Sequence, residues 1–235
     1  HKLTPVMAAV GLGLSLLHQS SLGATYGVLS GREIWFKPSM PVLFILSAIA
    51  GGVSLTLLVT LVVSKLSGHE LIDKYLRRDV ARLAAFALLA YLYLKMWDWA
   101  ATSYYSHAPG TADALLRLQA TTPYTQSFWI IEVFLGIVVP VVILLNRPLR
   151  RQTGLLIMAL ALVIIGVVVN RWNVTLSGLT VPPEWSPGVL GNVVATPYFP
   201  SWVEVSVSLG ILAYALLVLT LGVKYLPLFG KTAVS

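Results

Sequence analysis

Six stretches of predominantly apolar residues, separated by short charged or proline-rich connections, run the length of this chain. A helix that crosses a bilayer needs roughly 20 mostly apolar residues at 1.5 Å rise each. The stretches run from about Thr4 to Leu29, Met40 to Leu66, Val80 to Tyr105, Phe128 to Asn146, Gly154 to Trp172 and Trp202 to Leu226. Backbone exposed to lipid has no water to bond, so these stretches must satisfy their own N–H and C=O groups as helices. The expectation is an all-α, polytopic transmembrane bundle of about six spanning helices, with residues 1–235 as a single transmembrane domain. Composition agrees: 57% of residues are hydrophobic and only 11% charged, too few charges to cover a water-exposed domain.

Breakers fall between the stretches: Pro38 and Pro41, Pro109-Gly110, Pro123, Pro148, and the Pro182-Pro183 and Pro187-Gly188 pairs. Pro140 lies inside the fourth stretch, where neighbouring groups must accommodate a kink. Residues from Ser64 to Arg82 mix charge with Leu and Tyr and predict a short interfacial helix leading into the third crossing.

The net charge of +7 raises the possibility of nucleic acid, but the positions of the charges argue for membrane topology instead. Lys2, Lys65, Lys74, Arg77, Arg78, Arg82, Arg147, Arg150, Arg151, Lys224 and Lys231 fall on one side. Only Arg32, Lys37, Arg117 and Arg171 fall on the other, with Lys95 at membrane depth. The basic side is the cytoplasmic one by the positive-inside rule, so both termini are expected there. The loops of about 106–127 and 173–201 then lie outside, the second resembling a packed cap or docking surface. The chain begins at His1 rather than Met, as expected of a processed, truncated or partial product.

Ionisable groups at membrane depth cost on the order of 3 kcal/mol each on insertion scales, so each calls for a reason. His18 lies in the outer half of the first crossing, Lys95 and Asp98 in the third, and Glu132 about one turn inside the fourth. Lys95 and Asp98 are three residues apart, on one helical face where they can pair. Glu132 has no cation within a turn of it in sequence. Arg171, beside Asn170 and Asn173, is expected to close the fifth crossing, and Glu204 to open the sixth. All of these fall between the midplane and the outer surface, which suggests a polar pocket or proton path opening outward. The alternatives are structural: a neutralised Lys95–Asp98 pair, a helix-bonding His18, and capping or snorkelling roles for Arg171 and Glu204. Tryptophans and tyrosines such as Trp97, Trp99, Trp172 and Trp202 read as an interfacial belt. The glycosylation pattern Asn173-Val174-Thr175 lies too close to the membrane to be more than chance.

Several chemistries are excluded. Cysteine is absent, so this chain holds no disulfide, thiolate-ligated iron–sulfur cluster or c-type haem. A di-haem membrane cytochrome needs about four intramembrane His ligands, and His18 stands alone at that depth. Neither a metal-ligand cluster nor a Gly-rich phosphate loop is present in the sequence.

The polar motifs resemble those of the NrfD/PsrC superfamily, in its larger branch that includes HybB-type hydrogenase membrane subunits. The residues that carry the resemblance are His18-Gln19-Ser20-Ser21-Leu22-Gly23 followed by Trp35, Phe128-Trp129-Ile130-Ile131-Glu132-Val133, Asn170-Arg171-Trp172-Asn173, Tyr198-Phe199-Pro200-Ser201-Trp202-Val203-Glu204, and Lys224-Tyr225-Leu226-Pro227. The resemblance implies the C-terminal portion of a larger subunit in a bacterial or archaeal cytoplasmic membrane. Such a subunit binds no redox cofactor of its own and joins quinone or quinol chemistry to an iron–sulfur partner in a respiratory complex. His18, Lys95, Asp98 and Glu132 would then serve as proton path or quinone pocket, with Arg171 and Glu204 in support and no residue assigned as catalytic or metal-binding. The alternatives are a secondary transporter or ion channel, disfavoured by the lack of an internal repeat, and a purely structural membrane anchor.

Overall fold

The computed structural model describes residues 3–30, 35–68, 70–105, 126–180 and 200–225. Its long helices are α1 (Thr4–Gly27), α2 (Met40–Ser67), α3 (Lys74–Tyr105), α6 (Thr153–Thr180) and α7 (Trp202–Tyr225). Between α3 and α6 a π-helix (Ser127–Val138) continues into the short α4 (Val139–Leu145), and α5 (Arg147–Arg151) makes a corner. Six of these segments are long and apolar enough to cross a membrane, as the sequence predicts. α7 belongs to a separate unit, Thr196–Ser235, and is described by itself.

Helix boundaries follow local chemistry. Pro sits in the first turn of α1 and α2, where the missing N–H has no intrahelical partner to lose. α2 stops at Gly68, whose φ of +71° is a left-handed cap that a side chain would strain. The separate interfacial helix expected over Ser64–Arg82 does not form. α3 instead begins at Lys74 and runs unbroken, so the charged stretch is its own first turns. Pro140 produces no separate break; it sits in the first turn of α4, directly after the π-helix ends. α6 continues to Thr180, taking up residues that the sequence assigns to the outer loop.

α2 is the centre of the first unit and packs on α1, α3 and α6. In lipid there is no hydrophobic drive to bring two apolar helices together, so close packing by small residues must do it. α3 supplies Ala81, Ala84 and Ala85, fully buried in one core cluster with Leu57, Leu144, Leu156 and Leu160. α1 meets α2 through Gly23, where an added Cβ would lie 2.6 Å from the Cα of Pro41. The π-helix meets α6 glycine to glycine: a Cβ on Gly136 would lie 2.7 Å from the Cα of Gly166.

The Gly136–Gly166 crossing therefore fixes how near Glu132 comes to α6. Gly136→Ala is expected to destabilise the bundle by about 1–3 kcal/mol through overpacking, read as a lowered thermal midpoint in detergent. Gly13→Ala, with open space around it, is the control; equal midpoints for the two variants would contradict this packing.

Candidate functional site

Glu132 is buried to 1% exposure inside the apolar bundle. Its neighbours arrive from two other helices. α3 brings Lys95 and, one turn earlier, Tyr91; α6 brings Asn170 and Asn173, again one turn apart on one face. Lys95 Nζ forms an ion pair with Oε1 of Glu132 and donates a second hydrogen bond to the Tyr91 hydroxyl at 3.2 Å. Asn170 Nδ2 donates to the same carboxylate oxygen at 2.7 Å, with the Tyr91 hydroxyl 3.5 Å away. Asn173 Nδ2 donates to Oε2 at 2.9 Å, and its own Oδ1 accepts from Ser127 Oγ at 2.7 Å. Lys95 also lies over the Phe128 ring, 5.1 Å from its centroid. An ionised carboxylate accepts only, so this ring of donors matches the anion and leaves the pair neutral as a whole.

Asp98 belongs to a second pair, one turn further along α3. It accepts from Lys37 Nζ at 2.8 Å and from the Ser39 hydroxyl, both at the connection between α1 and α2. The expected Lys95–Asp98 pair is thus corrected: each of the two takes its partner from another element. Their shared face is visible in the sequence, but the approach of Glu132 and Lys37 is not. These two pairs stack along the C-terminal part of α3, the second near the membrane end and both largely shielded.

Arg171 does not close a helix end. It lies within α6 and reaches across to α2, donating to the Phe44 carbonyl at 3.2 Å and to Ser47 Oγ at 2.7 Å, with its guanidinium 3.6 Å from the Phe44 ring centroid. Trp35 adds a further tie, its indole N–H donating to the Val174 carbonyl at 2.7 Å. Asn173 faces inward, bonded to Glu132, consistent with a chance glycosylation pattern. His18 lies on the exposed face of α1, in a shallow concavity lined by Leu14, Leu17, Ser20, Ser21 and Ala24 of the same helix. In the separate α7 unit, Glu204 and Ser201 bond reciprocally: the carboxylate accepts from Ser201 N–H at 2.6 Å and Ser201 Oγ accepts from Glu204 N–H at 3.4 Å. That is a capping box.

Sequence reasoning does not single out Tyr91, Lys37, Ser39 or Ser127 as site residues. Tyr91 carries the best signal, a polar ring four residues before Lys95 on its face. Among the described residues no three His, Cys, Asp or Glu side chains converge as a metal site. The arrangement is suited to holding and exchanging a proton at a buried carboxylate, not to ligating a metal.

The profile of the family described as "Polysulphide reductase, NrfD" matches residues 1–183. Among curated relatives, the chain is 32% identical to a menaquinone reductase integral membrane subunit of Nitratidesulfovibrio vulgaris, over 99% of this chain and 56% of that protein. It is 27% identical to an Hdr-like menaquinol oxidoreductase integral membrane subunit of Archaeoglobus fulgidus, over 100% of this chain and 60% of that protein. A selenate reductase subunit of Mesobacillus selenatarsenatis is 22% identical over 98% of this chain and 53% of its own length. The chain therefore spans little more than half the length of these relatives.

Removing one member of the central pair strands the other in a dry site. Lys95→Met or Glu132→Gln alone is expected to cost about 3–5 kcal/mol, and the double variant much less than their sum. A double-mutant cycle on thermal unfolding measures this coupling, and simple additivity would contradict the pairing.

Proposed function

Because this chain belongs to the polysulphide reductase NrfD family, we propose that it is a membrane-embedded part of a quinone-reactive oxidoreductase complex. In this proposal the chain has no redox centre of its own, and electrons pass between quinone and an iron–sulfur subunit docked on the membrane. Support comes from the relatives, whose names describe subunits of menaquinone, menaquinol and selenate enzymes, and from the absence of cysteine. In this reading the host is a bacterial or archaeal cytoplasmic membrane with both termini on the cytoplasmic side, which the charge asymmetry supports.

The observation that carries the mechanistic part is the Lys95–Glu132 pair with its Tyr91, Asn170 and Asn173 donors. Quinone reduction takes up two protons with two electrons, and quinol oxidation releases them. A buried carboxylate can accept such a proton when the cation beside it moves away: Glu132 becomes neutral, and Lys95 gives up its counter-ion. Lys95 is then free to turn along α3 toward Asp98, three residues away on the same face. The Asp98–Lys37 pair, only 15% exposed at each side chain, continues the path toward the end of the bundle where the α1–α2 connection lies. In this assignment Glu132 is the proton-carrying group, Lys95 its switchable partner and Asp98 the next station. Arg171 fixes α6 against α2 so that Asn170 and Asn173 stay aimed at Glu132. His18, exposed on α1, makes no hydrogen bond to this cluster.

The intact complex, purified in mild detergent, is expected to contain an iron–sulfur subunit by mass spectrometry and to yield quinone on extraction. Recovery without either would overturn the oxidoreductase assignment. In proteoliposomes, Glu132→Gln in an assembled complex is expected to slow proton movement coupled to quinol turnover by roughly tenfold or more. The Lys95→Met/Glu132→Gln variant, which restores neutrality, should remain equally slow. Unchanged proton movement in both variants would reduce the cluster to a structural anchor.

A further inference from the structure

At Arg82, about 20 Å along α3 from Lys95, a second concentration of charge lies at the other end of the bundle. The Asp79 carboxylate accepts from Arg78 Nε at 2.8 Å and lies 3.9 Å from Arg82 Nη1. The Arg78 and Arg82 side chains remain 44% and 47% exposed. The α4–α5 corner packs beside this end of α3, through Leu144 and Leu149. There Arg150 is buried and donates to the Leu144 carbonyl, while Arg147 and Arg151 stay exposed. Burial first, and then the repulsion of Arg82, Arg78 and Arg147, holds the Arg150 pKa below its usual value. One carboxylate is set among four guanidiniums, so the corner keeps a surplus of positive charge.

Its depth is fixed by the crossings. The fourth ends at Leu145 and the fifth begins at Thr153, so Arg147–Arg151 falls between two crossings, where the lipid headgroups are expected. One and two turns further along α3 from Arg82, at i+4 and i+7 on the same face, Phe86 and Leu89 are exposed. A cationic rim directly above an exposed apolar stripe is complementary to an amphiphile with a phosphate head and acyl tails. A soluble acidic protein would match the rim alone and leave the stripe unexplained.

We propose that this corner is a binding site for an anionic phospholipid, its phosphate held by Arg78, Arg82 and Arg147 and its acyl chains lying along Phe86 and Leu89. Arg150 positions the corner from inside by tying α5 to the end of α4. Asp79 keeps Arg78 and Arg82 together. This site is independent of the proton path, since none of its residues touches Glu132 or Asp98.

The test uses the intact complex in mild detergent, mixed with phosphatidylglycerol or with phosphatidylcholine of the same acyl chains, and native mass spectrometry of retained lipid. Phosphatidylglycerol is expected to be retained and phosphatidylcholine not. Arg82→Gln should lower retention about fivefold, Arg147→Gln should do the same from the other helix, and Lys65→Gln, a charge at the end of α2 outside the cluster, should change nothing. Inorganic phosphate in excess should leave the lipid in place. Equal retention of both lipids, or no effect of either arginine variant, would overturn the proposal. Displacement by inorganic phosphate would make this a soluble-anion site instead. Protection of an Arg82→Cys thiol by a co-purifying protein would assign the corner to that partner.

Discussion

The ionised carboxylate of Glu132, buried among apolar helices, is the constraint on which the first unit depends. A charge at that depth is tolerated only if donors from outside its own helix surround it. Lys95 and Tyr91 must therefore come from α3, and Asn170 and Asn173 from α6. Three segments that share no hydrophobic drive to associate in lipid are held in register by one anion. The Gly136–Gly166 contact makes this possible, because the hydrogen bonds close only if the π-helix and α6 approach without intervening side chains. The π-helix places Glu132 and Gly136 four residues apart in a widened turn, a rare form of helix that is frequent at functional sites.

Outside that centre, polarity is distributed unevenly along the helices. The C-terminal part of α3 carries two ion pairs, and Arg171 and Trp35 bind α6 to α2 and to the α1–α2 connection. Toward the other end, the interior cluster is mainly Leu, Ala and Val, and charge returns at the exposed Arg78, Asp79 and Arg82 and at the buried Arg150. The first unit thus consists of an apolar half and a hydrogen-bonded half. A proton path needs the second, and a fixed frame against which to move needs the first.

Much of this is legible in the sequence. The six crossings follow from run length and hydropathy, and the buried acid stands out because no residue near it in sequence neutralises it. Partners are not legible where they depend on contacts between helices. Lys95 and Asp98 share a face at i,i+3, and the spacing correctly puts them side by side; it says nothing of Glu132, 37 residues away, or Lys37, 61 residues away, which outcompete that local pair. Arg171 reads as a helix end because hydropathy drops at Asn170, yet those polar residues are the ones that α6 turns inward. The interfacial helix before α3 fails for the converse reason: charged first turns belong to the same helix as the apolar turns after them. Glu204 is legible in full, since Ser201-x-x-Glu204 is a local pattern whose hydrogen bonds need no tertiary contact.

The central claim is that Glu132 rests as an anion beside Lys95 and takes up a proton during quinone turnover. Infrared difference spectroscopy of the intact complex, comparing the quinone-oxidised and quinol-reduced states, tests it most directly. The account predicts a protonated-carboxyl C=O band that appears or vanishes between the two states, shifts in heavy water, and is missing in Glu132→Gln. A difference spectrum with no carboxyl band, or one unchanged by Glu132→Gln, would contradict it.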